Sequence, residues 1–190
     1  MIPEGLAHLG RLRLASRSPQ RRAILTMLGV DFEVVPPDYD EPELPGAPAE
    51  IAATHARAKA ASVDGDRVLG VDTIVVVDGR VLGKPAGEEQ AREYLGLLSG
   101  RTHTVHSGLC LRCDGVEHVR SAATEVTFAP LAPSDLDWYL AAGEWRDRAG
   151  GYAVQGLGAA LVRSIAGDYT NVVGLPVPAL IDAMAVAAIR

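Results

Sequence analysis

Charged and apolar side chains alternate over residues 11–15, RLRLA, with the period of a short strand. The period then lengthens. Ser18 is a good N-cap, Pro19 suits the first helical position, and Ile24, Leu25 and Leu28 share a face before Gly29, so a helix is predicted over 19–28. Residues 32–35 read as a second strand, and PPDYDEPELPGAP, from Pro36 to Pro48, is too rich in proline to be regular. An alanine-rich helix follows over 49–63, then a nearly all-apolar strand, Val68 to Val77, interrupted by Asp72. Asp78-Gly79 signals a tight hairpin that returns the chain toward the start of that strand at Lys84. Residues 88–98 suit a helix closed by Ser99-Gly100, and strand-like runs 101–112 and 116–128 are joined by a second Asp-Gly. A helix over 134–142 stopped by Gly143, a glycine-rich loop over 144–158, a strand over 159–165 and a helix over 177–188 complete the pattern. Helices alternate with strands and hairpins, which predicts an α/β fold with a mixed sheet.

The chain has 190 residues and is 48% hydrophobic, enough to bury one domain's core or two small lobes sharing a sheet. No apolar run approaches the roughly 20 residues that span a bilayer, and residues 1–10 lack the pattern of a leader. Cys110 and Cys113 are the only cysteines, too few for a disulfide framework, so a cytoplasmic protein without membrane association is expected. A net charge of -6 argues against nucleic-acid binding. Against that balance, five arginines crowd into residues 11–22, a basic focus better suited to a small anion than to a polymer. Of 18 basic residues only Lys59 and Lys84 are lysine, as expected where a compact ammonium does what a guanidinium cannot.

Three places carry candidate chemistry. The turn LASRSPQRR leads into a helix start, where backbone N–H groups and the dipole favour anions, yet Arg21 and Arg22 sit in that first turn. Either a phosphate bound by Ser16, Ser18 and Arg21 resolves the conflict, or the arginines are simply solvated. Asp72, a carboxylate inside GVDTIVVV, needs a cation, a catalytic task or backbone donors to justify its position. Glu41, in the acidic loop, could complete a hard oxygen site for Mg²⁺ or Mn²⁺, though alone it reads as an ordinary loop carboxylate. Gly83-Lys84-Pro85 is weak by itself, and no GxxxxGK[ST] phosphate loop is present. Cys110-x-x-Cys113 lacks a second pair, and its odd spacing puts the two thiols on opposite faces of a strand. Trp138 and Tyr139 read as core or interface residues of their helix.

Taken together, LASRSPQRRAILTMLGVDFEVVPPDYDE, GVDTIVVVDGRVLGKP, LSGRTHTVHSG and DRAGGYAVQGLGAALVRSIAGDYTNVVGLP resemble the successive signature blocks of the Maf family across residues 12–182. The resemblance implies one Maf-type domain over residues 1–190. Its fold would be the two-lobed one shared with inosine triphosphate pyrophosphatases, with an elongated mixed sheet and a cleft between the lobes. It implies a metal-dependent hydrolase that cuts a nucleoside triphosphate between the α and β phosphates, a house-cleaning role, and homodimerisation. Position by position it puts Ser16, Ser18 and Arg21 on the triphosphate, Glu41 and Asp72 on the divalent metal, and Asp72 as base or metal ligand with Thr73 beside it. Lys59 and Lys84 take the family's lysines, and Gln155 lies near the base. It also places His103 and His106 on a sheet edge. Gln20 stands where the family usually has an arginine that contacts substrate, Arg17 where a small residue is common, Val71 for an alanine and Arg148 for a lysine.

The resemblance further implies the branch acting on dTTP and UTP, in which a threonine follows the catalytic aspartate and a glutamine precedes the glycine of the later loop, as Thr73 and Gln155 do here; a glutamine amide offers a donor and an acceptor that match the edge of uracil or thymine. The alternatives are a 7-methyl-GTP or broader pyrophosphatase, and a nucleotide-binding regulator of septum formation in which the carboxylates are dispensable.

Overall fold

The computed structural model describes residues 11–188, and the reading of residues 1–10 lies outside them. The elements run β1 (Leu12–Ala15), α1 (Pro19–Met27), β2 (Phe32–Val34), α2 (Pro48–Ala61), β3 (Arg67–Val77), β4 (Arg80–Leu82) and α3 (Glu88–Leu98). They continue with β5 (Thr102–Cys113), β6 (Val116–Phe128), α4 (Pro133–Ala142), β7 (Val162–Ala166), α5 (Tyr169–Val173) and α6 (Val177–Ala188). The seven strands form one sheet in the order β2-β1-β3-β5-β6-β7, with β4 paired to β3. Pairing is parallel for β1 with β2 and β3, and antiparallel for β3 with β4 and β6 with β7, so the predicted α/β class with a mixed sheet is observed.

Local chemistry explains the breaks. Asp78-Gly79 and Asp114-Gly115 both take two consecutive positive φ angles, 48° and 78° in the first and 49° and 78° in the second, the backbone a two-residue hairpin of this hand requires. The strand expected over 159–165 is found but begins at Val162, because residues 157–161 form a 3₁₀ turn in which Gly158 packs closely on the Ala153 backbone. Helix α5 was not anticipated; Asp168 starts it, accepting from the Thr170 N–H at 2.8 Å.

The chain divides into two compact units, one of residues 11–72, Ser107–Ala122 and 174–188, the other of Thr73–His106 and Ala123–Val173. In the first, Ala15, Ala56, Ala60, Val63, Val68 and Cys110 form a core of mostly small side chains. Burial raises the Cys110 thiol to about 11 and also raises Cys113, so both remain protonated and unreactive at neutral pH.

The second unit has a larger, aromatic core around Tyr94, Leu95, Phe128, Tyr139 and Tyr152. Tyr139 is fully buried and accepts from the Ala153 N–H at 3.0 Å, whereas its neighbour Trp138 is 47% exposed and is no core residue. His103 is buried with its edge toward Phe128 and Tyr152, and its Nε2 lies 2.8 Å from the Tyr152 hydroxyl. The implied sheet-edge position of His103 and His106 is incorrect, because β5 has β3 on one side and β6 on the other. An aromatic core disfavours an imidazolium, and burial lowers His103 to about 4.

A pH dependence follows from that depression. The unfolded chain protonates His103 below about 6.5 while the folded chain resists until about 4, so this stability is complete above 6.5 and lost as pH falls toward 4. Its full size is about 3 kcal/mol. Urea unfolding of the protein and of His103→Gln should show the parent losing stability faster across that window. Parallel pH profiles would show that His103 is not the group responsible.

Candidate functional site

In the first unit, glycine in two strands lets a helix press onto the sheet. A Cβ at Gly70 would collide with the backbone of Ala56 and Ala60, and one at Gly108 with the backbone of Ala52 and Ala53. The alanine-rich face of α2 therefore lies against β3 and β5, backbone on backbone. Strand periodicity puts Asp72 on the same face as Gly70, two residues earlier, and helix periodicity puts Lys59 on the face that carries Ala56 and Ala60. The close approach brings Lys59 Nζ to 2.6 Å from Asp72 Oδ1. Both residues are buried, at 5% and 4% exposure. Neither could sit there alone, since an unpaired buried charge costs several kcal/mol.

The same ammonium meets a second carboxylate, Glu41 Oε1 at 2.7 Å, from the loop between β2 and α2. Glu41 is half-exposed, so the cluster grades from a buried Asp72 to a solvated Glu41. Its second cation is Arg21. This guanidinium is buried, donating from Nε to the Gly174 carbonyl at 2.8 Å and from Nη1 to Ser16 Oγ at 3.0 Å. Desolvation lowers its pKa while the charges of Asp72 and Glu41 hold it up. Two carboxylates and two cations thus balance within one cluster.

The predicted conflict at the start of α1 resolves in an unexpected way. Ser18 caps the helix, its Oγ accepting from the Arg21 N–H at 3.5 Å and lying 3.1 Å from Gln20 Oε1. Ser16 Oγ accepts from the Ser18 N–H at 3.1 Å as well as from Arg21. The Arg21 guanidinium is held by a protein carbonyl and a hydroxyl and feels the charges of both carboxylates. The basic focus is also divided, because Arg11 and Arg13 pair with Glu33 at 3.3 and 2.7 Å, while Arg17 and Arg22 are exposed.

Ser16, Ser18, Gln20, Arg21, Glu41, Lys59 and Asp72 therefore all belong to the first unit. Thr73, Lys84 and Gln155 belong to the second. There, β4 ends at Leu82, paired with Val75, and Lys84 follows two residues later outside any strand. Lys84 and Gln155 are exposed, and Thr73 is half-buried. Gly150 donates its N–H to the Gly83 carbonyl at 3.0 Å, tying the glycine-rich loop to the segment that carries Lys84.

Two residues near the cluster were not singled out from the sequence. The Tyr39 hydroxyl lies 2.9 Å from His55 Nδ1, and His55 is buried one helical turn before Lys59. Burial and the charges of Glu41 and Asp72 raise the Tyr39 pKa, which keeps it a phenol. The spacing of His55 and Lys59 by four in a predicted helix was the available signal.

Among the described residues no group of three or more histidines, cysteines, aspartates or glutamates is placed to hold a metal. The donor set present is smaller but chemically apt. Glu41 and Asp72 each give one oxygen to Lys59, leaving the second oxygen of each carboxylate outside that pairing. Mg²⁺ and Mn²⁺ are commonly held by one or two carboxylates, with water and substrate phosphate completing the shell. The residues fit such an ion.

Comparison with known proteins gives the chain's family. A protein named dTTP/UTP pyrophosphatase from Anaeromyxobacter sp. (strain Fw109-5) is 48% identical over 172 residues, covering 87% of this chain and 84% of that one. A protein of the same name from Thermus thermophilus is 46% identical over 168 residues, covering 87% and 89%. The solved structure of a HAM1 protein from Coxiella burnetii superposes with a TM-score of 0.52 at 18% identity, covering 95% of this chain and 99% of that one, and so shares the fold. The Maf-like protein family matches residues 11–187, which include every residue of the charged cluster, and the chain belongs to that family.

Proposed function

We propose that this protein is a metal-dependent nucleoside triphosphate pyrophosphatase that hydrolyses dTTP and UTP to the monophosphate and pyrophosphate, the matched residues acting as a single domain. The observation that carries this reading is the convergence of Glu41, Asp72, Lys59 and Arg21 in one charge-balanced cluster, two of whose members are buried acid and ammonium. The activity named for relatives at 46–48% identity supports it. Acidic net charge disfavours nucleic acid as substrate, and no helix among the described residues is long and apolar enough to cross a membrane. We place the enzyme in the cytoplasm.

In this mechanism Glu41 and Asp72 would hold Mg²⁺ or Mn²⁺, which when bound supplies charge neutralisation to the phosphates. Asp72 accepts the proton of the attacking water, and Lys59 restrains the carboxylate through its 2.6 Å contact. Arg21, Lys59 and Lys84 offset charge developing on the leaving pyrophosphate, with Ser16, Ser18 and Gln20 shaping the anion-facing helix start. Thr73 and Gln155 select the base, the Gln155 amide being exposed and able to offer both donor and acceptor.

The test is kcat/KM for UTP, dTTP, CTP, GTP and 7-methyl-GTP with Mg²⁺ or Mn²⁺, resolving pyrophosphate from orthophosphate. UTP and dTTP should lead by roughly a hundredfold, below the about 10⁴–10⁵ reached where a wrong ligand leaves buried polar groups unpaired, because Gln155 is exposed. Gln155→Glu should erase the lead. Orthophosphate as product, or preference for either guanine nucleotide, would overturn the reading, and no turnover would favour a nucleotide-binding regulator.

A further inference from the structure

The loop from residue 36 to 46 delivers Glu41, yet among the described residues no backbone-to-backbone hydrogen bond holds it. Four prolines, at 36, 37, 42 and 45, remove donors from this stretch, so side chains must fix its path. The Glu41–Lys59 contact is a poor anchor by itself, because the Glu41 side chain is 45% exposed and an ion pair with one solvated partner contributes little. Pro37 is buried and gives the loop apolar contact, but an apolar contact does not aim a carboxylate.

We propose that Tyr39 and His55 are positioning residues that set Glu41 against Lys59. Helix α2 presents His55 and Lys59 four residues apart on one face. The loop presents Tyr39 and Glu41 two residues apart. The pairs meet as two rungs, Tyr39 with His55 at 2.9 Å and Glu41 with Lys59 at 2.7 Å, the first seated on a histidine that is only 6% exposed. The aromatic rings stand 5.8 Å apart and tilted by 54°, so the tyrosine also packs against its partner. One rung would let the loop pivot, whereas two fix the direction in which Glu41 leaves the backbone. Tyr39 and His55 touch no reacting atom in this account and act only through Glu41, which rests on the proposed pyrophosphatase reading.

The experiment combines a double-mutant cycle with a readout that needs no activity. Tyr39→Phe and His55→Gln are measured alone and in a Glu41→Gln background, and each protein is treated with a protease that cuts after glutamate. Each single change should lower kcat roughly tenfold with little change in nucleotide KM, since small misplacements of a site residue have effects of that order or larger. Neither should lower activity further once Glu41 is Gln, as expected for residues acting through it. Both should speed cleavage after Glu43 severalfold while the melting temperature of the folded body stays near the parent value. Undiminished kcat, an equal loss in the Glu41→Gln background, or unchanged cleavage in the loop would each overturn the proposal. Absence of turnover in the unaltered protein would instead overturn the pyrophosphatase reading, and the cleavage rates would still decide whether the two rungs hold the loop.

Discussion

Replacing Lys59 by methionine should destabilise the protein by about 3–5 kcal/mol, the range seen when one partner of a buried ion pair is removed. Methionine keeps most of the side-chain volume and removes the charge. Asp72, 4% exposed, then loses its 2.6 Å partner, and Glu41 loses the contact that ends its loop on the helix. Arg21 offsets part of the loss, since Asp72 and Glu41 already act on it. The same change should alter the response to cation. In the parent an ammonium stands between the carboxylates and competes with a divalent ion. In Lys59→Met both carboxylates become available, so millimolar Mn²⁺ should raise the melting temperature of the variant by more than it raises that of the parent, by linkage of binding to folding. Thermal melts of both proteins with and without Mn²⁺ measure this. An unchanged melting temperature without metal would mean the cluster is not a buried electrostatic unit, and equal responses to Mn²⁺ would mean Glu41 and Asp72 do not hold the ion.

How far this site could be read in advance differs from residue to residue. Asp72 was legible because a carboxylate within GVDTIVVV violates the rule for a buried strand, and Lys59 because lysine is so rare in this chain. Their pairing was not legible. It depends on Gly70 and Gly108 admitting α2 to backbone contact, and no periodicity reveals which strand glycine a helix will cover. Asp-Gly hairpins were read correctly since two residues decide their geometry, with both positive φ angles falling where the turn needs them. The strand expected from residue 159 starts only at Val162, after the 3₁₀ turn at 157–161, because an apolar run carries no sign of where it folds back. Arg21 shows the limit most clearly: the sequence displayed a cation at the wrong end of a helix dipole, and a bound anion was one solution. The structure supplies another, with the guanidinium turned to the Gly174 carbonyl, 153 residues away in sequence. Partners that distant leave no local trace.

Asp72→Asn should reduce kcat by roughly 10²–10⁴-fold, the range associated with removing a group that moves a proton in the transition state. The substitution is close to isosteric, and the asparagine carbonyl can still accept from Lys59 Nζ at the position Asp72 Oδ1 now holds, 2.6 Å away. The fold should therefore survive. Lys59 would also keep Glu41, so the remaining acid and ammonium stay paired and Arg21 keeps its carbonyl and serine partners. What the amide cannot do is accept a proton from water or offer a charged oxygen to a divalent ion. Binding and chemistry should thus separate. A non-hydrolysable UTP analogue should bind Asp72→Asn within a few-fold of the parent, because its phosphates are met by cations that remain, while pyrophosphate release in a single turnover nearly stops. A variant that turns over at close to the parent rate would remove Asp72 from the mechanism. A variant that loses binding and chemistry together would make Asp72 a part of the scaffold that holds Lys59, and would shift the search for the proton acceptor to Glu41, the other carboxylate on the same ammonium.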